Sequence, residues 1–183
     1  MSVDELFNPA GEPDMFPEDR KPGPLNVEFG AGGNRPAGYI CHDIEVDITK
    51  KLPYADNSVD KIRAEHVFEH ISPPDGLRFL DECMRILKPG GKLRLCVPAV
   101  DRIMQRYWLV GEEDNERRTH LRDIILNHGH LAVHTRMSLS AMLDAAGFSY
   151  THGELKRDEN DGHWKVIGEE KDDIETCRIE AIK

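Results

Sequence analysis

Long apolar runs are missing from this chain. No stretch approaches the roughly 18 uninterrupted apolar residues that a membrane-spanning helix requires. The first residues, MSVDELFNPAGEPD, lack the basic-then-apolar pattern of a secretory signal. Cysteine is scarce: only Cys41, Cys83, Cys96 and Cys177 occur, with no C-x-x-C spacing, and three of them sit in apolar segments where a thiol behaves as a small hydrophobe. A disulfide framework is thereby excluded and a reducing, cytoplasmic setting is expected. Basic residues are in deficit, 24 Lys and Arg against 34 Asp and Glu, for a formal net charge of −10. That balance disfavours a nucleic-acid partner, whose phosphates are neutralised by Lys and Arg.

What remains is the composition of one soluble domain: 183 residues, 39% hydrophobic and 32% charged, enough to bury a core without metal or disulfide staples. Residues 1–24 form a Pro-rich N-terminal arm (Pro9, Pro13, Pro17, Pro22, Pro24) that can be neither helix nor central strand. It reads first as a tail, and second as a strap anchored by Phe7, Met15 and Phe16. Residues 25–183 are the folded domain.

Within that domain apolar runs alternate with turns. Strands are expected at Leu25–Phe29, Tyr39–Asp43, Val59–Ala64 and Lys92–Val97. A helix is expected from Pro73 to Leu87, capped by Ser72, with Leu77, Leu80, Met84 and Leu87 as its apolar stripe and Phe79 off it. Lys88-Pro-Gly-Gly91 should end it. Further helices are expected near 101–110, 115–127 and Ser138–Ala146, then strands at Phe148–Leu155 and Ile174–Ile182, with a weaker candidate at Trp164–Ile167. Strands alternating with helices imply an α/β fold with a mostly parallel sheet.

The segment Leu25-Asn-Val-Glu-Phe-Gly-Ala-Gly-Gly-Asn34 runs a strand into Gly-x-Gly, where the lack of Cβ atoms lets backbone approach a ligand. A dinucleotide fingerprint would need a third glycine where Arg35 stands, followed by Pro36, so NAD binding is disfavoured, and a nucleotide-sugar or NAD enzyme stands only as a third reading. An acidic Glu28 before Gly30 and Gly32 suits instead a cationic ligand without phosphate. Asp43 ends the second strand, where ligands of open α/β sheets lie, and a carboxylate there can accept from ribose hydroxyls.

Four ordered motifs then resemble class I S-adenosylmethionine-dependent methyltransferases. Asp47 to Asp60 (DITKKLPYADNSVD) is similar to D-x-x-x-L-P-F-x-D-N-S-F-D, and Glu65 to His70 (EHVFEH) to x-H-V-L-E-H. Arg85 to Arg94 (RILKPGGKLR) is similar to R-V-L-K-P-G-G-x-L, and Thr135 to Phe148 to T-x-x-S-L-x-x-L-L-x-x-A-G-F. The resemblance covers about residues 25–150 and extends to a compact, type 11-like subgroup whose first motif reads L-N-L-G-x-G-x-N-x-x-x-G-W-x-N-V-D. It implies a Rossmann-like sheet of six or seven strands closed by a C-terminal antiparallel hairpin. It further implies S-adenosylmethionine as cofactor and S-adenosylhomocysteine as product; a small-molecule or glycan-like acceptor is expected, although residues 1–24 and 98–137, which would choose it, carry no recognisable motif.

Carried over by position, Glu28, Gly30, Ala31, Gly32 and Asn34 would line the methionine end. Asp43 would hold the ribose, Asp47 and the backbone of Ile48 the adenine, and Glu65 and His66 the floor beneath the sulfonium. The third family glycine is Asn34 here, and about ten residues separate Gly32 from Asp43, so the first crossover helix is expected to be shortened or absent. Asp43 and Asp47 stand too close for the family's second helix and third strand.

Methyl transfer needs positioning and, where the acceptor loses a proton, a base. His70 is the candidate, histidine being the side chain most often used as a general base, with a helix-capping or structural role as the alternative. His128, His130 and His134 form H-x-H-x-x-x-H, but no acidic or cysteine ligand stands nearby in sequence, so no metal is expected. The rival reading is a non-catalytic cofactor-binding regulator on the same fold.

Overall fold

The computed structural model describes residues 23–33, 35–109, 128–152 and 176–183. Asn34, most of the Pro-rich arm, the helix expected at 115–127 and the weak strand at Trp164–Ile167 lie outside these. Six strands form one sheet: β1 (Asn26–Phe29), β2 (Ile40–His42), β3 (Val59–Glu65), β4 (Leu87–Pro98), β5 (Ser149–His152) and β6 (Thr176–Ile182). Their order is β2-β1-β3-β4-β6-β5. The first four are parallel, and β6 runs antiparallel to both β4 and β5. The helices are α1 (Pro73–Ile86), α2 (Val100–Leu109) and α3 (Arg136–Ala145), with a one-turn 3-10 helix at Phe68–His70.

The expected mostly parallel sheet with an antiparallel C-terminal hairpin is therefore present, and no helix lies between β1 and β2 or between β2 and β3 among the described residues. None of the described helices is long and apolar enough to cross a membrane.

Register divides the sheet into two unlike faces. Val27, Ile62, Leu93 and Ala181 stand in line across β1, β3, β4 and β6, as do Phe29, Ala64, Leu95 and Ile179, and all eight are buried. The helical layer packs on this face. Between these rows, on the other face, lie Glu28, Arg63, Arg94 and Glu180, also in line. A strand with only one apolar face reads as alternation, which is the pattern of Val59–Glu65.

Helix α1 differs from its expected stripe. Gly76, Phe79, Leu80, Cys83 and Ile86 are its buried residues, while Leu77 is 40% exposed. Phe79 is core, not off the core face. The spacing i, i+3, i+7, i+10 is satisfied by either phase, and the smaller Gly76 decides it. A Cβ at Gly76 would stand 2.9 Å from Phe68 Cζ and 3.0 Å from Met142 Cε, so this face alone lets the helix close on its neighbours. Phe79 then meets Phe29 edge to face at 5.8 Å between ring centroids, a contact that adds about 0.5–1.5 kcal/mol to its burial. Ser72 caps the helix as expected, its hydroxyl accepting from the Asp75 amide.

Lys88-Pro-Gly-Gly91 also departs from expectation, since it lies inside β4 and does not precede it. Val59 pairs with Leu87 and Lys61 with Lys92, so the intervening residues bulge out of the ladder. Gly90, at φ 78°, takes the turn conformation that bulge requires.

Candidate active site

The carboxyl ends of β1, β2, β3 and β4 share one edge of the sheet, and the order β2-β1-β3 makes the gap between β1 and β3 its topological switch point. The Gly-x-Gly loop leaves β1 here. Phe29 lies opposite His42, and the Ala31 amide donates to the His42 carbonyl at 3.0 Å, so Gly30 to Gly32 and Asp43 emerge side by side.

The two glycines serve different ends. At Gly30, φ 73°, a Cβ would stand 2.6 Å from Val67 Cβ, in the turn that follows β3. Only a residue without a side chain admits this approach. At Gly32, φ 51°, and at Gly33 a Cβ would meet nothing within 4 Å, which leaves an open backbone surface over which a ligand can lie. Asp43 is half-buried, and among the described residues its carboxylate has no hydrogen-bond or ion-pair partner. An open glycine shelf beside an uncommitted carboxylate fits the polar tail and ribose of a nucleoside.

Asp47 sits on the exposed loop beyond. Its Oδ1 accepts from the Thr49 amide at 2.9 Å and hydroxyl at 2.6 Å, and these bonds hold its carboxyl below the usual range. Ile48 turns its side chain into the core, 8% exposed. That loop is held by the next motif. Arg85 of α1 donates to the Tyr54 carbonyl at 2.8 Å, the Leu52 carbonyl at 3.1 Å and Asp56 Oδ1 at 2.7 Å, while Glu82 accepts from Arg85 and from the Leu52 amide. Asn57, in the left-handed region at φ 54°, and Ser58 donate their amides to the Arg85 and Ile86 carbonyls at the end of α1. Two sequence motifs are thus halves of one clamp. The Arg85 guanidinium holds the Glu82 carboxyl below its ordinary value, and Glu82 in turn raises that of Arg85.

Glu28 and Glu65 have basic company. Glu28 is buried and Glu65 half-buried beside Arg63, itself 1% exposed, with Glu65 Oε1 at 2.6 Å from Nη2 and Glu28 Oε2 at 3.9 Å from Nη1. The Tyr39 ring lies over the same guanidinium at 5.3 Å. A buried carboxylate of this kind is sustained by its cation. The charge of Glu28 is therefore shared with Arg63, and Asp43 is the carboxylate left open toward a ligand.

His66, at φ 52°, begins the turn after β3. Its imidazole lies 3.7 Å from Cys96 Sγ and 3.4 Å from Glu69 Oε1. The Cys96 contact and the Glu69 carboxylate raise its pKa to about 10, so the ring is cationic at neutral pH. His70 follows, exposed, on the 3-10 turn. Its ring stands 4.8 Å from that of His130, which arrives from the loop before α3. His134 is buried against Phe68 at 5.1 Å, and burial lowers its pKa.

Glu69 stands beside His70 just past β3, as the sequence places it, but spacing alone assigns it no role. It is 2% exposed, and among the described residues neither carboxylate oxygen has a hydrogen-bond partner. Its backbone carbonyl accepts from the amides of Leu131 at 2.9 Å and Ala132 at 3.1 Å, tying the His-rich loop to this turn. The signal was present in Glu65-His-Val-Phe-Glu-His70, but the partner loop lies far along the chain.

Comparison with known proteins agrees with this geometry. Residues 25–95 match a family model described as a methyltransferase domain. An S-adenosylmethionine-dependent methyltransferase of Mesorhizobium loti superposes with a TM-score of 0.56 at 15% identity, covering 92% of this chain and 94% of that one. S-adenosylmethionine-dependent methyltransferases of Thermotoga maritima (TM-score 0.52, 16% identity, 89% and 84% covered) and Archaeoglobus fulgidus (TM-score 0.51, 16% identity, 88% and 87% covered) share the fold. The matched family segment spans β1, β2, β3 and α1 and reaches into β4, the elements that build the glycine shelf and the Arg85 clamp. Residues 25–95 thus match the methyltransferase-domain family, and the chain shares the fold of S-adenosylmethionine-dependent methyltransferases.

Proposed function

We propose that the methyl acceptor is a small molecule or glycan-like compound, presented to the donor between the glycine shelf and the turn Glu65–His70. The observation that supports this reading is the pairing of an open donor shelf at Gly32, Gly33 and Asp43 with an exposed His70 on the neighbouring turn, joined through the Gly30–Val67 contact. S-adenosylmethionine would supply an electrophilic methyl group on a sulfonium. The chain's residues position the two reactants and take up the acceptor proton.

In this reading Asp43 accepts the ribose hydroxyls, Asp47 and Ile48 border the adenine, and Gly30, Ala31, Gly32 and Asn34 pass beneath the methionine portion. Glu65 and His66 close the floor, and His70 is the base. Acid-matched surroundings on the donor side and a net charge of −10 favour a neutral or cationic acceptor over a polyanion.

Titration calorimetry with S-adenosylhomocysteine tests the donor half. Asp43→Ala should weaken binding at least about tenfold, the worth of one charged hydrogen bond. Unchanged affinity would remove Asp43 from the site. His70→Ala should lower turnover on a panel of small hydroxyl and amine acceptors while cofactor affinity holds. Equal turnover in the variant would reject His70 as base.

A further inference from the structure

Glu69, His70 and His130 converge from two segments of the chain. One ligating atom from each lies within 4.8 Å of the others. Side chains brought together by chance on a surface are seldom anchored. Here two main-chain hydrogen bonds, from Leu131 and Ala132 to the Glu69 carbonyl, fix the His130 loop against the turn that carries Glu69 and His70.

The second observation is the state of Glu69 itself. A carboxylate that is 2% exposed and makes no hydrogen bond is costly to bury. His66 Nδ1, 3.4 Å from Oε1, supplies charge but not a hydrogen bond in line, and among the described residues nothing donates to Oε2. A cation in direct contact would meet the need that protein donors leave unmet.

We propose that Glu69, His70 and His130 bind a divalent transition-metal ion, Zn²⁺ by preference. Two imidazoles and one carboxylate are a ligand set of zinc, which keeps a fourth position for water or substrate. Zinc bonds of about 2.0–2.1 Å place ligand atoms roughly 3.4 Å apart in a tetrahedron. The present spacing therefore closes by small side-chain rotations, which an exposed His70 and a half-buried His130 permit while Glu69 stays fixed.

The site would stand at the acceptor side of the pocket, a placement that rests on the reading of His70 as base. A metal-bound imidazole has no lone pair left to take a proton. Zinc loading should then suppress any turnover that depends on His70 in that role.

The test is titration of Zn²⁺ into full-length protein stripped with a chelator, followed by competition with a chromophoric zinc indicator. One ion per chain is expected, and His130→Ala and His70→Ala should each weaken binding at least about tenfold. Glu69→Gln should do the same, with the His130 variant carrying the conclusion if the buried Glu69 change fails to fold. No saturable binding, or an affinity that His130→Ala leaves unchanged, would overturn the metal site. S-adenosylhomocysteine calorimetry on the same preparation separates the two readings. Cofactor binding without zinc binding sinks only the metal site, and zinc binding without cofactor binding sinks only the methyl-transfer reading.

Discussion

Arg85 is the best place to test whether the clamp is energetic or decorative. Its side chain is 21% exposed, that of its partner Glu82 is 20% exposed, and it donates to two backbone carbonyls of the Leu52–Tyr54 segment. Each hydrogen bond to a charged group contributes about 1.5–3 kcal/mol in such settings. The Asp56 pair, on a carboxylate 70% exposed and screened by solvent, adds little. Deletion is not additive, because Glu82 keeps the Leu52 amide and water reaches part of the gap. Arg85→Ala should therefore cost about 3 kcal/mol. For a chain of this size that corresponds to a fall of about 6–12 °C in Tm. Arg85→Lys should recover less than half, since an ammonium cannot span two carbonyls and a carboxylate at once. Urea unfolding monitored by circular dichroism measures both variants. A loss below about 1 kcal/mol for the alanine variant would refute the clamp as a stabilising unit.

Two further predictions concern the donor side. Gly30→Ala forces a left-handed φ, costing about 1–2 kcal/mol, and drives a methyl into Val67, where overpacking adds about 1–3 kcal/mol. Gly32→Ala meets the strain alone, so equal urea midpoints for the two variants would contradict the close approach. His42 is buried with Nε2 2.6 Å from Tyr54 Oη, and burial lowers its pKa against the opposing pull of Glu45. The unfolded chain then binds the proton more readily, so this contribution to stability is full above the unfolded value of about 6.5 and is lost as pH falls through the folded one. His42→Gln should flatten the decline in stability between about pH 7 and 5; an unaltered slope would count against it.

Much of the fold was legible because its signals are local. Alternating runs gave the strands to within a residue or two in β1, β2 and β3, and Ser72-Pro73 gave the start of α1. The phase of α1 was not, because Leu77 and Phe79 are equally apolar and only the Phe68 and Met142 side chains against Gly76 choose between them. The bulge at Lys88–Gly91 was hidden for a similar reason: Gly-Gly and Pro mark an interruption without saying whether the ladder resumes on either side. Among the candidate site residues, the positions of Asp43 and the glycines at the strand ends followed from strand-end logic. The neutralisation of Glu28 by Arg63 needs the β1–β3 register, and the meeting of Glu69 with His130 needs the tertiary fold. Neither leaves a trace in spacing.

The last strand in sequence order carries a burden out of proportion to its length. Residues 176–182 are wedged between β4 and β5, pairing with β4 along every position from Lys92 to Pro98. Before they dock, β4 offers a bare edge whose inward side chains are Leu93, Leu95 and Val97. Such an edge is a template for any extended segment, including the same one from another molecule. Because the natural occupant arrives from far along the chain, closure is a slow, long-range event during which self-association competes. Charge helps to steer the outcome. Lys92 and Arg94 on β4 meet Glu180 on β6, so correct docking brings opposite signs together, whereas two β4 edges would set Lys and Arg against their own kind.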